Sequence, residues 1–397
     1  MDRKVFLACL LIVAGTISWR SGAYFSGAFD VVVLLKAILA GLALVVAASA
    51  RPAQDGHNPP WLGAVWFVGV YVCVSALGAW GSGDLQASGI LAMRLLLTAA
   101  VIFALARAYP GVVVIEGLAT AMVAVGVVSA ATGVSSLGSG SGRLVGGVPP
   151  LTPNEISLLC GIGLLFIIWR CLTSGGRWYH FSAIAGLFAI FWVTGSRTGL
   201  TVLLGAVVLM IVQVRRMPVG AFVVAVGSVP LLFYTITSTS LVGDYVGRGG
   251  AQSISTLSSR TIAWRAAIEL PDTWWESWFG SGLAVKRIAV PARWWSEQVL
   301  DSSVVSALVQ TGIVGVLLLL LWTVTTVSRA VRAPAPERLL WTSLLAFVVV
   351  RSILESGLFD ATPAFLVFFL IALVAGPALR PSASIGAVPA RREKRLV

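Results

Sequence analysis

Residues 304–327 read VVSALVQTGIVGVLLLLLWTVTTV and contain no charged side chain. A run of this length decides the class, because about 20 consecutive apolar residues make a membrane-crossing helix. Apolar runs recur on both sides of it, at 5–19, 31–50, 61–80, 88–106, 111–132, 154–171, 179–194, 198–214, 218–237, 339–354 and 362–379. Composition agrees. Over 397 residues, 58% are apolar and only 11% charged, against about 45–50% and about 25% in soluble proteins. A soluble globular enzyme, a disordered chain and a fibrous chain are excluded. The expected fold is an all-α polytopic membrane domain over 1–397 with about 12 transmembrane helices. One large, partly helical extracytoplasmic loop at 238–303 and a basic cytoplasmic tail at 380–397 complete it.

The net charge is +12. In a membrane chain such an excess first reflects Lys and Arg held in cytoplasmic loops. With a cytoplasmic N-terminus, alternate connections carry Arg51, Arg107, Arg170, Arg177, Arg215, Arg216, Arg329, Arg332 and Arg338. Arg3, Lys4 and the basic C-terminal residues agree, whereas the short outer loops carry little beyond Arg20, Arg143 and Arg197. Both termini are therefore expected inside, with an even number of spans. The first span follows a basic start and competes with a signal-peptide reading, but no small-x-small cleavage site follows it. No dense basic arm suggests nucleic acid. Cys9, Cys73, Cys160 and Cys171 lie in apolar stretches without CxxC spacing, so neither zinc nor a disulfide framework is expected.

The exceptions to the charge pattern are informative. Arg143 and Arg197 sit in short outer loops, and Lys36, Arg94, Glu116 and Arg351 lie within or near spans. Intramembrane charge usually faces a bundle interior or a water-filled cavity, although long side chains near span ends also snorkel outward.

The segment 238–303 holds six of the fifteen tryptophans, among them Trp264 and Trp274, together with Arg260, Arg265, Arg287 and Lys286. Stretch 258–270 (SSRTIAWRAAIEL) starts on Ser-Ser and stops before Pro271, which predicts a short helix. Arg260 and Trp264, four apart, share its face. Aromatic faces stack on sugar rings and guanidinium forks pair with phosphate oxygens. An aromatic belt at the membrane interface is the competing reading.

Four short elements follow in order: Gly142-Arg143-Leu144-Val145-Gly146-Gly147 with Pro153-Asn154; Gly195-Ser196-Arg197-Thr198-Gly199-Leu200; Ser259-Arg260-Thr261-Ile262-Ala263-Trp264 with Phe279-Gly280-Ser281-Gly282; and Asp301-Ser302-Ser303 with Gln310-Thr311-Gly312-Ile313-Val314-Gly315. This order resembles the O-antigen ligase / O-antigen polymerase family of bacterial envelope glycosyltransferases. The likeness covers about residues 140–320. Arg351-Ser352-Ile353-Leu354-Glu355-Ser356 resembles a C-terminal element of the same family. Two departures stand out: Asp301 occupies the position of the family's frequent loop histidine, and Ser302 replaces the usual Asn. His57 and His180 fall on the expected cytoplasmic side and do not fill that role.

The resemblance implies transfer of a glycan from a polyprenyl-diphosphate carrier to an acceptor hydroxyl, without a nucleotide sugar. No cofactor is expected, and with neither a D-x-D nor a His cluster in the sequence the activity is expected to be metal-independent. The expected partners are that lipid-linked donor, a glycan or lipid acceptor, the bilayer and a chain-length regulator. The expected site is the bacterial cytoplasmic membrane. Cations aimed at the leaving diphosphate would stabilise its charge, and Arg143, Arg197, Arg260 and Arg265 are the candidates. Asp301 is the first candidate for a catalytic base and Glu355 the second; helix capping is the competing role for Asp301. Trp264, Trp274 and Asn154 are candidate glycan contacts. Polymerisation of lipid-linked repeat units is the leading reading and ligation of finished polymer the alternative. A transporter or flippase of lipid-linked sugars is the reading from another class.

Overall fold

The computed structural model describes residues 2–20, 30–50, 59–138, 142–214, 260–289 and 297–377, without the side chains of 260–262. The expected span 218–237 and the tail 380–397 lie outside the described residues. Among the described residues the fold is helical apart from one two-stranded hairpin.

Helices α1 (Arg3–Thr16), α2 (Val31–Ala48), α3 (Leu62–Ser82), α4 (Leu85–Ala108), α5 (Gly111–Thr132), α6 (Pro153–Ser174), α7 (Trp178–Val193) and α8 (Arg197–Gln213) form the first group. The large segment supplies α9 (Arg260–Glu269), α10 (Trp274–Phe279), and the antiparallel strands β1 (Arg287–Ala289) and β2 (Glu297–Val299). The chain then closes with α11 (Ser303–Val331), α12 (Ala335–Ser352) and α13 (Pro363–Val374).

Each expected span within the described residues coincides with a helix, but the count of twelve is corrected. Six described helices, α2 to α6 and α11, are long and apolar enough to cross a membrane. That supports a multi-pass membrane protein. The largest shortfall is that of α13, whose 12 residues reach only about 18 Å at 1.5 Å per residue, against a hydrocarbon core of about 30 Å. Its run continues as apolar sequence to 379, but the helix stops at Val374.

The short α13 is buried on every side from Pro363 to Leu373, as befits a helix apolar all round at the centre of a bundle. Phe365 stacks on Phe369 with centroids 5.4 Å apart, and Phe368 meets Trp322 of α11 edge-on at 5.1 Å. Trp322 also stacks on Phe67 of α3 at 5.7 Å. Without water to drive helices together in lipid, such close packing carries the association.

The bundle has two chemically different ends. At one, Tyr109 donates to Asp2 at 2.9 Å, Arg170 pairs with Glu116 at 3.0 Å, and Arg329 lies 4.4 Å from the Trp61 ring centroid. Trp169 Nε1 donates to the Pro336 carbonyl there at 2.6 Å. The opposite end gathers the C-terminus of α1, the N-termini of α6, α8 and α11, and the loops that follow α5, α7 and α12.

Candidate functional site

The site end is assembled by helix caps. Thr152 accepts from the Glu155 backbone N–H, and the Glu155 carboxylate accepts from the Thr152 N–H at 2.8 Å. This capping box with Pro153 at its first position starts α6 and places Asn154 on its first turn. Glu155 also accepts from Ser18 Oγ at 2.8 Å, which ties in the end of α1. On α11, Ser302 caps the N-terminus by accepting from Val305 N–H. The capping role weighed for Asp301 therefore belongs to its neighbour.

Asn154 is the hub. Its Oδ1 accepts from Arg143 Nη2 at 3.3 Å, its Nδ2 donates to Glu355 Oε1 at 2.7 Å, and its carbonyl accepts from Arg351 Nη2 at 2.6 Å. Ser157 Oγ donates to the same carbonyl at 2.8 Å. Arg143 Nε donates to the Thr194 carbonyl at 3.0 Å, and Leu144 N–H donates to the Val193 carbonyl at 3.0 Å. The Gly142–Gly147 loop thus lies against the turn that starts α8 with Arg197. Two stretches distant in sequence meet here, 143–154 and the one around 355, with the 194–197 turn beside them.

Asp301 lies two residues before Ser303, whose Oγ donates to the Glu355 carbonyl at 3.0 Å and accepts from Leu358 N–H at 3.0 Å. The start of α11 is thereby fixed to the α12–α13 connection. That connection dips into the bundle: Phe359 meets Tyr71, in the middle of α3, at 6.4 Å. Irregular backbone at such depth is tolerated where protein buries it.

The Phe279–Gly282 and Gln310–Gly315 elements form a second junction. Gly312 breaks α11 with φ 62° and ψ −164°. Ser281 and Gly282 donate their N–H groups to the Val309 and Gln310 carbonyls at 2.8 and 2.9 Å, completing the interrupted ladder. A Cβ at Gly312 would overlap the Trp278 backbone, and one at Gly280 would overlap Thr311 N. Glycine is required at both positions by positive φ and by backbone contact.

The outer candidates separate from this cluster. Helix α9 appears where expected and buries Ala263 and Ala267 in a small core with Ile288, Leu300 and Val309. Trp264 is half-buried, and its indole Nε1 has no hydrogen-bond partner among the described residues. Arg265 is exposed. Trp274 is 70% exposed and lies 6.1 Å from Trp278, while α10 is anchored by Trp275 Nε1 donating to the Leu77 carbonyl at 3.1 Å. Arg260 opens α9, but its side chain lies outside the described residues.

Two charged residues in spans resolve as structural. Arg94 Nη2 donates to the carbonyls of Gly15, Thr16 and Ala361 at 3.0, 3.4 and 3.2 Å, joining the end of α1 to the start of α13. Glu116 pairs with Arg170 at the opposite end. Arg351, in contrast, enters the Asn154 network while only 6% exposed. Its position inside an apolar run was the signal for that role. Ser303 and the Lys286–Asp360 pair, 2.6 Å apart, carry no such signal in the sequence.

His180 accepts from Arg177 N–H at the start of α7, at the end of that helix away from Val193, where Leu144 is bonded. His57 lies outside the described residues. No protein-family model matches the chain, and no curated protein is significantly similar to it.

Proposed function

We propose that this chain is a membrane-embedded glycosyltransferase of the bacterial cytoplasmic membrane, acting on the extracytoplasmic face with both termini in the cytoplasm. It moves a glycan from a polyprenyl-diphosphate carrier to an acceptor hydroxyl, polymerising lipid-linked repeat units of a surface polysaccharide. The observation that carries the reading is the Arg143–Asn154–Glu355 network. It joins the first element of the O-antigen ligase / polymerase resemblance, which holds Arg143 and Asn154, to the C-terminal element that holds Glu355, at the end of the bundle away from the basic Arg3, Lys4 and Arg170 end.

In this reading the acceptor oxygen forms a bond to the anomeric carbon from the face opposite the diphosphate. The anomeric carbon–oxygen bond to phosphate breaks, and its electron pair leaves with the polyprenyl diphosphate. Arg143 and Arg197 hold the charge that develops on that leaving group; arginine suits this because its charge is permanent and its fork bidentate. The hydroxyl proton passes to a carboxylate, Asp301 or Glu355. Trp264, on α9, is the glycan contact in this reading.

The test is the glycan profile of a strain lacking the chain, complemented with Arg143→Ala, Arg197→Ala or Asp301→Ala. Each substitution is expected to leave the protein inserted and to leave single repeat units on the carrier. Full-length polymer retained on the carrier would redirect the reading to ligation, and intermediates held on the cytoplasmic side would redirect it to transport. Wild-type product from all three variants at normal protein level would overturn it.

A further inference from the structure

The outer segment is fastened to the bundle largely by neutral hydrogen bonds. Ser82 Oγ donates to the Ser281 carbonyl at 3.0 Å, Leu283 N–H to Ser75 Oγ at 3.0 Å, and Gln310 Nε2 to the Val285 carbonyl at 3.0 Å. At Lys286 the character changes. Its Nζ makes an ion pair with Asp360 Oδ1 at 2.6 Å, and the two side chains are only 18% and 25% exposed. A pair this well shielded is screened little by salt.

Both ends of the pair lead to the candidate bases. The Lys286 carbonyl accepts from Leu300 N–H at 3.2 Å, so the chain entering the hairpin is pinned to the chain leaving it, one residue before Asp301. Asp360 lies in a tight turn, where Thr362 Oγ1 donates to the Gly357 carbonyl at 2.5 Å and Arg94 holds the adjacent Ala361 carbonyl. Five residues upstream is Glu355, tied to Ser303 on the other side of Asp301. Asp301 therefore sits between two fastenings to the same connection: Lys286–Asp360 and Ser303–Glu355.

We propose that Lys286 and Asp360 are a positioning pair, whose ion pair sets Asp301 against the Asn154–Glu355 network. The role of the pair in transfer rests on the transferase reading of that site; the fastening itself does not.

Two readouts keep these separate. In native membranes, a chain with its four cysteines replaced and Asp301→Cys introduced is labelled with a polyethylene-glycol maleimide. Lys286→Glu or Asp360→Lys is expected to speed labelling at position 301 about tenfold, because each sets two like charges against one another where an ion pair stood. The double reversal Lys286→Glu/Asp360→Lys restores slow labelling, as does the conservative Lys286→Arg. With Asp301 intact, in the complemented deletion strain, each single reversal is expected to lower glycan product about tenfold at unchanged protein level, and the double reversal to recover it. Labelling that is unchanged in the single variants, or as fast in the double reversal as in either single, would overturn the fastening. Single reversals that speed labelling but leave product unchanged, while Arg143→Ala abolishes it, would overturn the positioning role. If Arg143→Ala also leaves product unchanged, the transferase reading falls while the labelling still supports the fastening.

Discussion

At the scale of single residues, Asn154 concentrates the consequences. Its amide satisfies a guanidinium and a carboxylate at once, which no charged replacement can do. Asn154→Asp keeps the shape but sets a second carboxylate against Glu355, 2.7 Å from the present donor. Glycan product is expected to fall at least tenfold, and Asn154→Ala to destabilise the protein by about 1–3 kcal/mol through the partners it strands; a thermal melt in detergent reads the second effect. Tyr109 offers a pH handle at the opposite end. Burial and its hydrogen bond to Asp2 push its phenol up to about 12, while the Lys4 N–H and the Tyr109 hydroxyl draw the Asp2 carboxyl below its ordinary value. The Tyr109 contribution is present below the ordinary phenol range and is lost as pH rises towards about 12. The Asp2 contribution is present above the ordinary carboxylate range and is lost as pH falls through its depressed value. Ultraviolet titration of Tyr109→Phe is expected to lack the phenol that ionises towards about 12 in the unsubstituted protein. Arg143, Asn154 and Glu355 were legible as separate candidates because charge and amide groups stand out against apolar sequence. Their union was not, since side-chain hydrogen bonds across 201 residues leave no local pattern.

At the scale of elements, the broken helix α11 makes a controlled prediction. Gly312→Ala combines a left-handed backbone with overlap on Trp278, whereas Gly83, at φ 79°, has nothing within 4 Å of an added Cβ. Gly83→Ala is expected to cost about 1 kcal/mol, while Gly312→Ala is expected to abolish stable expression, as measured by fluorescence-detected size exclusion in detergent. The run 304–327 was read as one continuous span because periodicity and apolar content do not register a single glycine that a passing loop forces out of line. Likewise, α9 was legible from Ser-Ser and Pro271 at its ends, but the pairing of β1 with β2 was not. Three-residue strands contain too little alternation to be seen.

At the scale of the whole molecule, alternation of helix direction separates an end rich in arginine from the end that holds the candidate site. Single cysteines at Ser136 and Ser174, in a chain otherwise without cysteine, are expected to react with a membrane-impermeant maleimide from opposite sides. Ser136 reacts in intact cells and Ser174 only after permeabilisation. Reaction of both from one side would refute the proposed sidedness. The multi-pass character was legible from composition alone, whereas the span count was not, because apolar run length does not distinguish a crossing helix from one enclosed by its neighbours. That enclosure bears on how the protein is made. A 12-residue helix surrounded on all sides has too little length to hold itself in a bilayer, so its place depends on the helices that enclose it. Chains truncated before Pro363 are expected to reach the membrane yet be cleared by quality-control proteases, as a pulse-chase of the truncated and full-length chains would read.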